Sequence, residues 1–270
     1  MARLRATILG CGSSPGVPRI GNDWGACDPA EPKNRRLRCS MLIERSGPEG
    51  KTTVLVDTGP DLRTQLLAAN VKTLDAVVYT HPHADHIHGI DDLRAFWLNT
   101  KRRVDIHADA PTYARLTEAF GYCFSTPAGS LYPPILEYHP MAVGTPFSVH
   151  GSGGPIRLVP FRQQHGDIDS LGLKIGGLAY SCDISALPDD SANLIRKIDV
   201  WIVDALRYKP HPSHFSVAES LAVIDKVGAK RGVLTHMHTD LDYQRLRAEL
   251  PTHVEPGYDG MEIVFEGEHD

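Results

Sequence analysis

A disulfide framework, a membrane span and a surplus of positive charge are all missing from this sequence. Its five cysteines, at 11, 27, 39, 123 and 182, are odd in number and contain no Cys-x-x-Cys pair. A disulfide framework would leave one thiol over, so a reducing compartment is the simpler reading. No stretch approaches the roughly 20 apolar residues of a spanning helix. Met1 to Arg5 begins neither an apolar run nor a leader with a small-residue cleavage site. The expectation is a cytoplasmic protein with no membrane partner. Asp and Glu number 33 against 28 Lys and Arg, a net charge of −5. That field does not favour a polyanion such as nucleic acid. Fixed-period repeats and low-complexity linkers are also absent. With 270 residues, 41% hydrophobic and 23% charged, the chain reads as a folded protein with ample core, expected as one domain over 1–270.

Short apolar runs between turn signals predict strands at 4–9, 41–44, 53–56, 76–79, 156–161, 171–175, 178–181, 200–203, 233–235 and 261–265. Helical periodicity predicts helices at 61–69, 87–98, 111–119, 216–227 and 242–250. Start signals support several of these, such as Asp109 before Pro111 and Ser216 with Glu219 three residues on. The stretch 121–154 is rich in Gly and Pro, has no Lys or Arg, and reads as one long irregular loop.

Histidine is abundant: fourteen in all, four of them between 81 and 88. The segment Thr80-His81-Pro82-His83-Ala84-Asp85-His86 follows an apolar run and precedes a helix. In extended chain, residues two apart point the same way, so His81 and His83 can grip one ion together. Asp85 and His86 diverge at the helix entrance and can face a second. Imidazole and carboxylate suit zinc, and manganese or iron as well. Four ligands cannot complete two sites. His165, Asp183 and His236 each follow an apolar run, where a sheet presents functional side chains.

These elements, with Val56-Asp57-Thr58-Gly59 before them, resemble the metallo-β-lactamase superfamily, an α/β fold built as an αββα sandwich with metals at one edge of its two sheets. The resemblance implies two divalent cations, Zn or Mn. One would be held by His81, His83 and His165, the other by Asp85, His86 and His236. Asp183 would bridge, and Asp57 would stand behind a ligand and orient it. A lactamase-type site would normally have Cys in place of the bridging carboxylate; Cys182 is next door, but Asp183 takes the position. Finer features resemble the phosphodiesterase branch: Leu9 to Pro18, Arg35-Arg36-Leu37-Arg38-Cys39-Ser40, His214-Phe215-Ser216, and Gly257 to Ile263. Together they look like the PhnP-like cyclic-ribose phosphodiesterases and, less closely, ribonuclease Z. The former carry a structural zinc on a Cys-x-Cys-x-x-Cys cluster and a later His; the matching positions here are Asn22, Trp24, Cys27 and Thr239.

The implied activity is hydrolysis of a phosphodiester in a small nucleotide or cyclic ribose phosphate, by attack of a metal-bridging hydroxide on phosphorus. Asp85 would bind metal and orient the nucleophile. His214 would protonate the leaving group, unless it only caps the following helix. His238 and Ser13, the latter in a loop whose N–H groups can face phosphate, are the substrate-binding candidates. His88 is expected to hydrogen-bond near Asp91 and Asp92, and His211 to sit at the rim or play no part. Trp24 is expected to pack on neighbouring side chains. Two alternatives stand beside this reading. One is a tRNA 3′-end endonuclease, which needs cations that 121–154 lacks. The other is a non-catalytic nucleotide- or metal-binding module, against which the full ligand set argues. The expected partner is a small phosphate ester rather than nucleic acid, and a homodimer is left open.

Overall fold

Alternation along the strands sets the layers. In β2 (Ser40–Gly47), β3 (Gly50–Val56) and β4 (Ala76–Val78) successive side chains face opposite ways. Met41, Ile43, Val54, Val56, Ala76 and Val78 join one buried cluster, and Leu42, Leu55 and Val77 join another. Strands apolar on both faces need cover on both. The computed structural model, which describes residues 3–268, supplies it with two mixed sheets face to face and helices outside them.

The first sheet runs β14 (Glu262–Glu266), β1 (Arg3–Gly10), β2, β3, β4, β5 (Val104–Ala108), β6 (Leu136–Pro140). The second runs β13 (Val254–Pro256), β12 (Arg231–Thr235), β11 (Val200–Asp204), β10 (Leu178–Ser181), β9 (Ile168–Ile175), β8 (Ile156–His165), β7 (Phe147–Val149). Each is antiparallel on one side and parallel on the other: β3 to β6 are parallel in the first sheet, β10 to β13 in the second. Parallel neighbours need crossovers. All six contain helix: α1 (Leu62–Ala68), α4 (Ala110–Phe120), α5 (Asp189–Leu194), α6 (Val217–Val227), α7 (Tyr243–Glu249) and, between β4 and β5, two short helices.

Three expectations need correction. The stretch 121–154 is not one loop: it contains β6 and β7, the outermost strands of the two sheets. Both are short and flanked by Pro or Gly, a composition that edge strands tolerate. The expected helix 87–98 is broken into α2 (Ala84–Ile87), a 3₁₀ turn at Ile90–Leu93 and α3 (Arg94–Thr100). The break falls at Gly89, whose N–H donates to Thr58 O at 2.7 Å and where a Cβ would lie 2.2 Å from Gly59 O. Chain is pressed on chain there, with no room for a side chain. Finally, β5 and α5 were not among the expected elements, although Val104-Asp105-Ile106-His107-Ala108 alternates buried and half-buried residues.

Candidate metal centre

The site lies where strands from both sheets end. Asp57, just past β3, has φ +61, a left-handed backbone that non-glycine residues rarely adopt. Its carboxylate accepts from Thr80 N (2.8 Å), Thr80 Oγ1 (2.8 Å) and His86 Nδ1 (2.8 Å). Holding Nδ1 leaves His86 Nε2 facing the interior of the site. Close packing fixes the approach: a Cβ on Gly59 would sit 2.4 Å from Asp85 O, so the turn after β3 lies directly on α2. His165 is held in the same way, with Nδ1 donating to Ser213 O at 2.7 Å.

The seven residues expected as ligands converge in two groups. His81, His83, His165 and Asp183 each place a ligand atom within 4.8 Å of the others, as do Asp85, His86, Asp183 and His236. Asp183 is common to both. His165 Nε2 is 3.2 Å from His83 Nδ1 and 3.5 Å from Asp183 Oδ2. His86 Nε2 is 3.2 Å from Asp183 Oδ1, and His236 Nε2 is 3.5 Å from Asp183 Oδ2. All are buried except solvent-facing His83 and half-buried Asp85.

The donor set fits divalent cations by its unmet bonding. His81 Nε2, His86 Nε2, His236 Nε2 and Asp183 Oδ1 are buried and make no well-aligned hydrogen bond, although His86 Nε2 and Asp183 Oδ1 lie 3.2 Å apart. Each such atom costs about 1–3 kcal/mol, and all four lie in the groups just described. Without a cation the site balances its charge with protons. Burial works against charge on His86 and His236, but the carboxylates, Asp183 foremost, outweigh it: His86 is raised well above the usual histidine range and His236 to about 10. His81 has no such surplus, and burial lowers it well below that range. Cations binding here would displace the protons on His86 and His236.

A third group adjoins these, Asp204 with His214 and His236. Sequence reasoning missed Asp204, though it too ends an apolar strand. It is fully buried, accepts from Ile184 N at 3.1 Å, and lies 2.7 Å from His214 Nδ1. His214 Nε2 is 4.0 Å from Asp183 Oδ2. Burial lowers His214 to about 4 and raises Asp204 well above the usual carboxyl range. Burial therefore favours the neutral pair, a carboxyl proton shared with Nδ1 and the ring's own proton on Nε2. The capping alternative for His214 fails: Ser216 is the N-cap of α6, in a capping box with Glu219.

The remaining candidates lie around this cluster. His238 Nδ1 is in a local turn, 3.1 Å from Asp240 Oδ1. Ser13 is buried, its hydroxyl unpartnered, and its N–H donates to Met237 O at 3.2 Å. The N–H groups of Gly12 and Gly16 are likewise engaged, by Leu37 O and Ser13 O, so these three amides do not form a phosphate cradle. His88 rests edge-on against Phe120 rather than bonding to Asp91, which pairs with Arg94. His211 Nδ1 accepts from Ser213. Four of the six residues from 33 to 38 are Lys or Arg: Lys33 bonds Tyr243 OH, Arg35 lies over the Trp24 ring, and Arg38 pairs with Asp61. Arg36 is fully buried beside Cys27.

Residues 52–237 match a family model described as the β-lactamase superfamily domain. A solved structure of a diphosphatase from the PhnP family is 35% identical, with 98% of each chain covered and a TM-score of 0.88. A Porphyromonas gingivalis protein named octanoyltransferase is 32% identical over 97% of this chain; the chain spans 52% of that relative's length. Zinc-bound PqqB from Methylobacterium extorquens has a TM-score of 0.72 over 96% of this chain and 99% of its own, at 17% identity, which is likeness of fold alone.

Proposed function

The chain belongs to the β-lactamase superfamily, and from that premise we propose that it hydrolyses phosphodiester-type linkages in small substrates with the help of two divalent cations. The observation that carries this reading is the pair of His/Asp groups sharing Asp183, with the Asp204–His214 pair facing the same carboxylate. His81, His83 and His165 would hold one cation and Asp85, His86 and His236 the other, with Asp183 between them. Two such cations, when bound, acidify water and neutralise the phosphoryl oxygens of an in-line displacement.

The remaining work falls to side chains. Asp85 orients the attacking water. Asp57 fixes the ring of His86 through Nδ1. His214 delivers the proton on Nε2 to the leaving oxygen, and Asp204 holds the other ring nitrogen throughout. His238 lies two residues past His236 and is the candidate for contact with a distal substrate group. The relative that is a diphosphatase supports substrates in which one phosphorus carries two bridging oxygens, such as a nucleotide diester or a diphosphate linkage. Nothing in this arrangement calls for acyl transfer.

The test is metal analysis of the purified protein, then assays with zinc or manganese. Substrates would be a nitrophenyl phosphodiester, cyclic nucleotides, a dinucleoside diphosphate, precursor tRNA and an octanoyl thioester. Two metals per chain and chelator-sensitive turnover of a small phosphodiester or diphosphate are expected. Turnover of the thioester or the precursor tRNA alone would overturn the reading.

A further inference from the structure

A buried cation lies beside the site without contributing an atom to it. Arg36 is 1% exposed, and among the described residues its side-chain bonds go to no carboxylate. Its Nη2 donates to Leu241 O at 2.6 Å and Asn34 Oδ1 at 3.4 Å; its Nη1 donates to His238 O at 3.3 Å and faces Cys27 Sγ at 3.8 Å. The same His238 carbonyl accepts from Leu241 N, closing a turn over 238–241. Burying a guanidinium is costly, and an apolar side chain often fills such a place as well or better. What an apolar residue does not supply is a planar fork of donors that fixes two backbone carbonyls at once.

Those carbonyls belong to the segment immediately after His236. His236 has φ +57. Of the non-glycine residues with positive φ among the described residues, only Asp57 and His236 are buried. Such a conformation costs about 1–3 kcal/mol and persists only where neighbours over-determine it. Asp57 is held by its own side chain. His236 is held by the backbone of the next two residues: Met237 N donates to Cys11 O, Met237 O accepts from Ser13 N, and His238 N donates to Leu206 O. Asp259 in turn fixes Cys11 and Leu37 by accepting both N–H groups, at 3.0 and 2.7 Å. Arg36 is the side chain that closes this frame.

We propose that Arg36 is a positioning residue for the second cation: by clamping the 238–241 turn it keeps His236 in its left-handed conformation, Nε2 directed at Asp85 and Asp183. This rests on the reading that the cluster binds metal. The experiment titrates metal-free wild type, Arg36→Met and Arg36→Lys with zinc against a chromogenic chelator, at a temperature where circular dichroism shows each fully folded. Wild type should bind two zinc ions. Arg36→Met should keep one at wild-type affinity and bind the other about 10–100-fold more weakly, the usual effect of losing an outer support. Arg36→Lys, which keeps the charge but not the fork, should show a smaller loss at the same ion. If Arg36→Met does not fold, the loss in Arg36→Lys decides. A purely structural role would lower the melting temperature and leave both affinities unchanged in the folded variants, and that result would overturn the proposal. Wild type that binds no zinc would overturn the metal reading, and this proposal with it.

Discussion

Replacing His214 by Ala tests the chemistry most directly. The residue is 8% exposed and is not one of the seven proposed ligands; its Nε2 lies 4.0 Å from Asp183 Oδ2, while its ring stacks on His236 and meets His165 edge-on. Both cations should therefore stay bound. The loss has two parts that separate by assay. The first is catalytic. If Nε2 supplies the proton for the leaving oxygen, a substrate with an alkoxide leaving group should slow by roughly 10²–10⁴. A nitrophenyl phosphodiester, whose leaving group departs without a proton, should slow far less. The second is structural. Among the described residues Asp204 would keep the Ile184 N–H as its hydrogen-bond donor, with His236 Nδ1 3.8 Å away, and a buried carboxyl that loses a bond costs about 1–3 kcal/mol. His214→Gln, with an amide able to donate to Asp204, should recover part of the stability and none of the leaving-group selectivity. The measurement is the ratio of kcat/KM for the two substrates in each variant, with metal content determined on the same samples. Equal, small losses on both substrates would remove His214 from the chemistry.

Two carboxylates, buried Asp57 and half-buried Asp259, give further outcomes. Asp57→Asn keeps the size of the side chain but offers His86 Nδ1 a weaker acceptor, so affinity for the cation at His86 should fall about 10–100-fold; isothermal titration with zinc reads this, and an unchanged isotherm would deny Asp57 its orienting role. Asp259 is held up at about 7, chiefly by burial and in spite of the N–H groups of Cys11 and Leu37. A carboxyl raised on folding binds its proton more readily in the folded chain. Its contribution is thus fully present below about pH 4 and is lost as pH rises towards 7, to a total of roughly 4 kcal/mol. Urea unfolding of metal-free wild type and Asp259→Asn between pH 4 and 8 should show this fall as the difference between the two curves, because the shifted histidines and Asp204 titrate in both; parallel curves would place the titration elsewhere.

What was legible in the sequence was local. His81, His83, Asp85 and His86 announce themselves within six residues, because one strand end and one helix start bring them together. His165, Asp183 and His236 were found by a weaker rule, a polar residue after an apolar run. Asp204 satisfies the same rule after Val200–Val203, and nothing local distinguishes it from a turn residue. Its part depends on His214, ten residues on, folding back to within 2.7 Å. The strands β6 and β7 were hidden because their Pro-rich surroundings carry the signal of a loop, and short outer strands have little apolar pattern to set against it.

Arg36 shows the limit of such reading more sharply. In sequence it belongs to a basic run that invites a surface interpretation, yet its neighbours at 238 and 241 lie more than 200 residues away. The two sheets explain why the distance matters. His81 to His86 come from the first sheet, while His165, Asp183, Asp204 and His236 come from the second. Among the described residues each half brings one buried non-glycine residue in a left-handed conformation, Asp57 from the first and His236 from the second. Their supports differ in kind. Asp57 is fixed by bonds its own carboxylate makes within the first half, all to residues 80–86. His236 depends on chain that crosses between the halves, from Cys11, Ser13 and Arg36. The geometry at His86 is thus set within one half, whereas the geometry at His236 is complete only once the N-terminal segment has docked on the second sheet. On that ordering, a perturbation at the N-terminal segment should reach the cation position at His236 and spare the one formed by His81, His83 and His165.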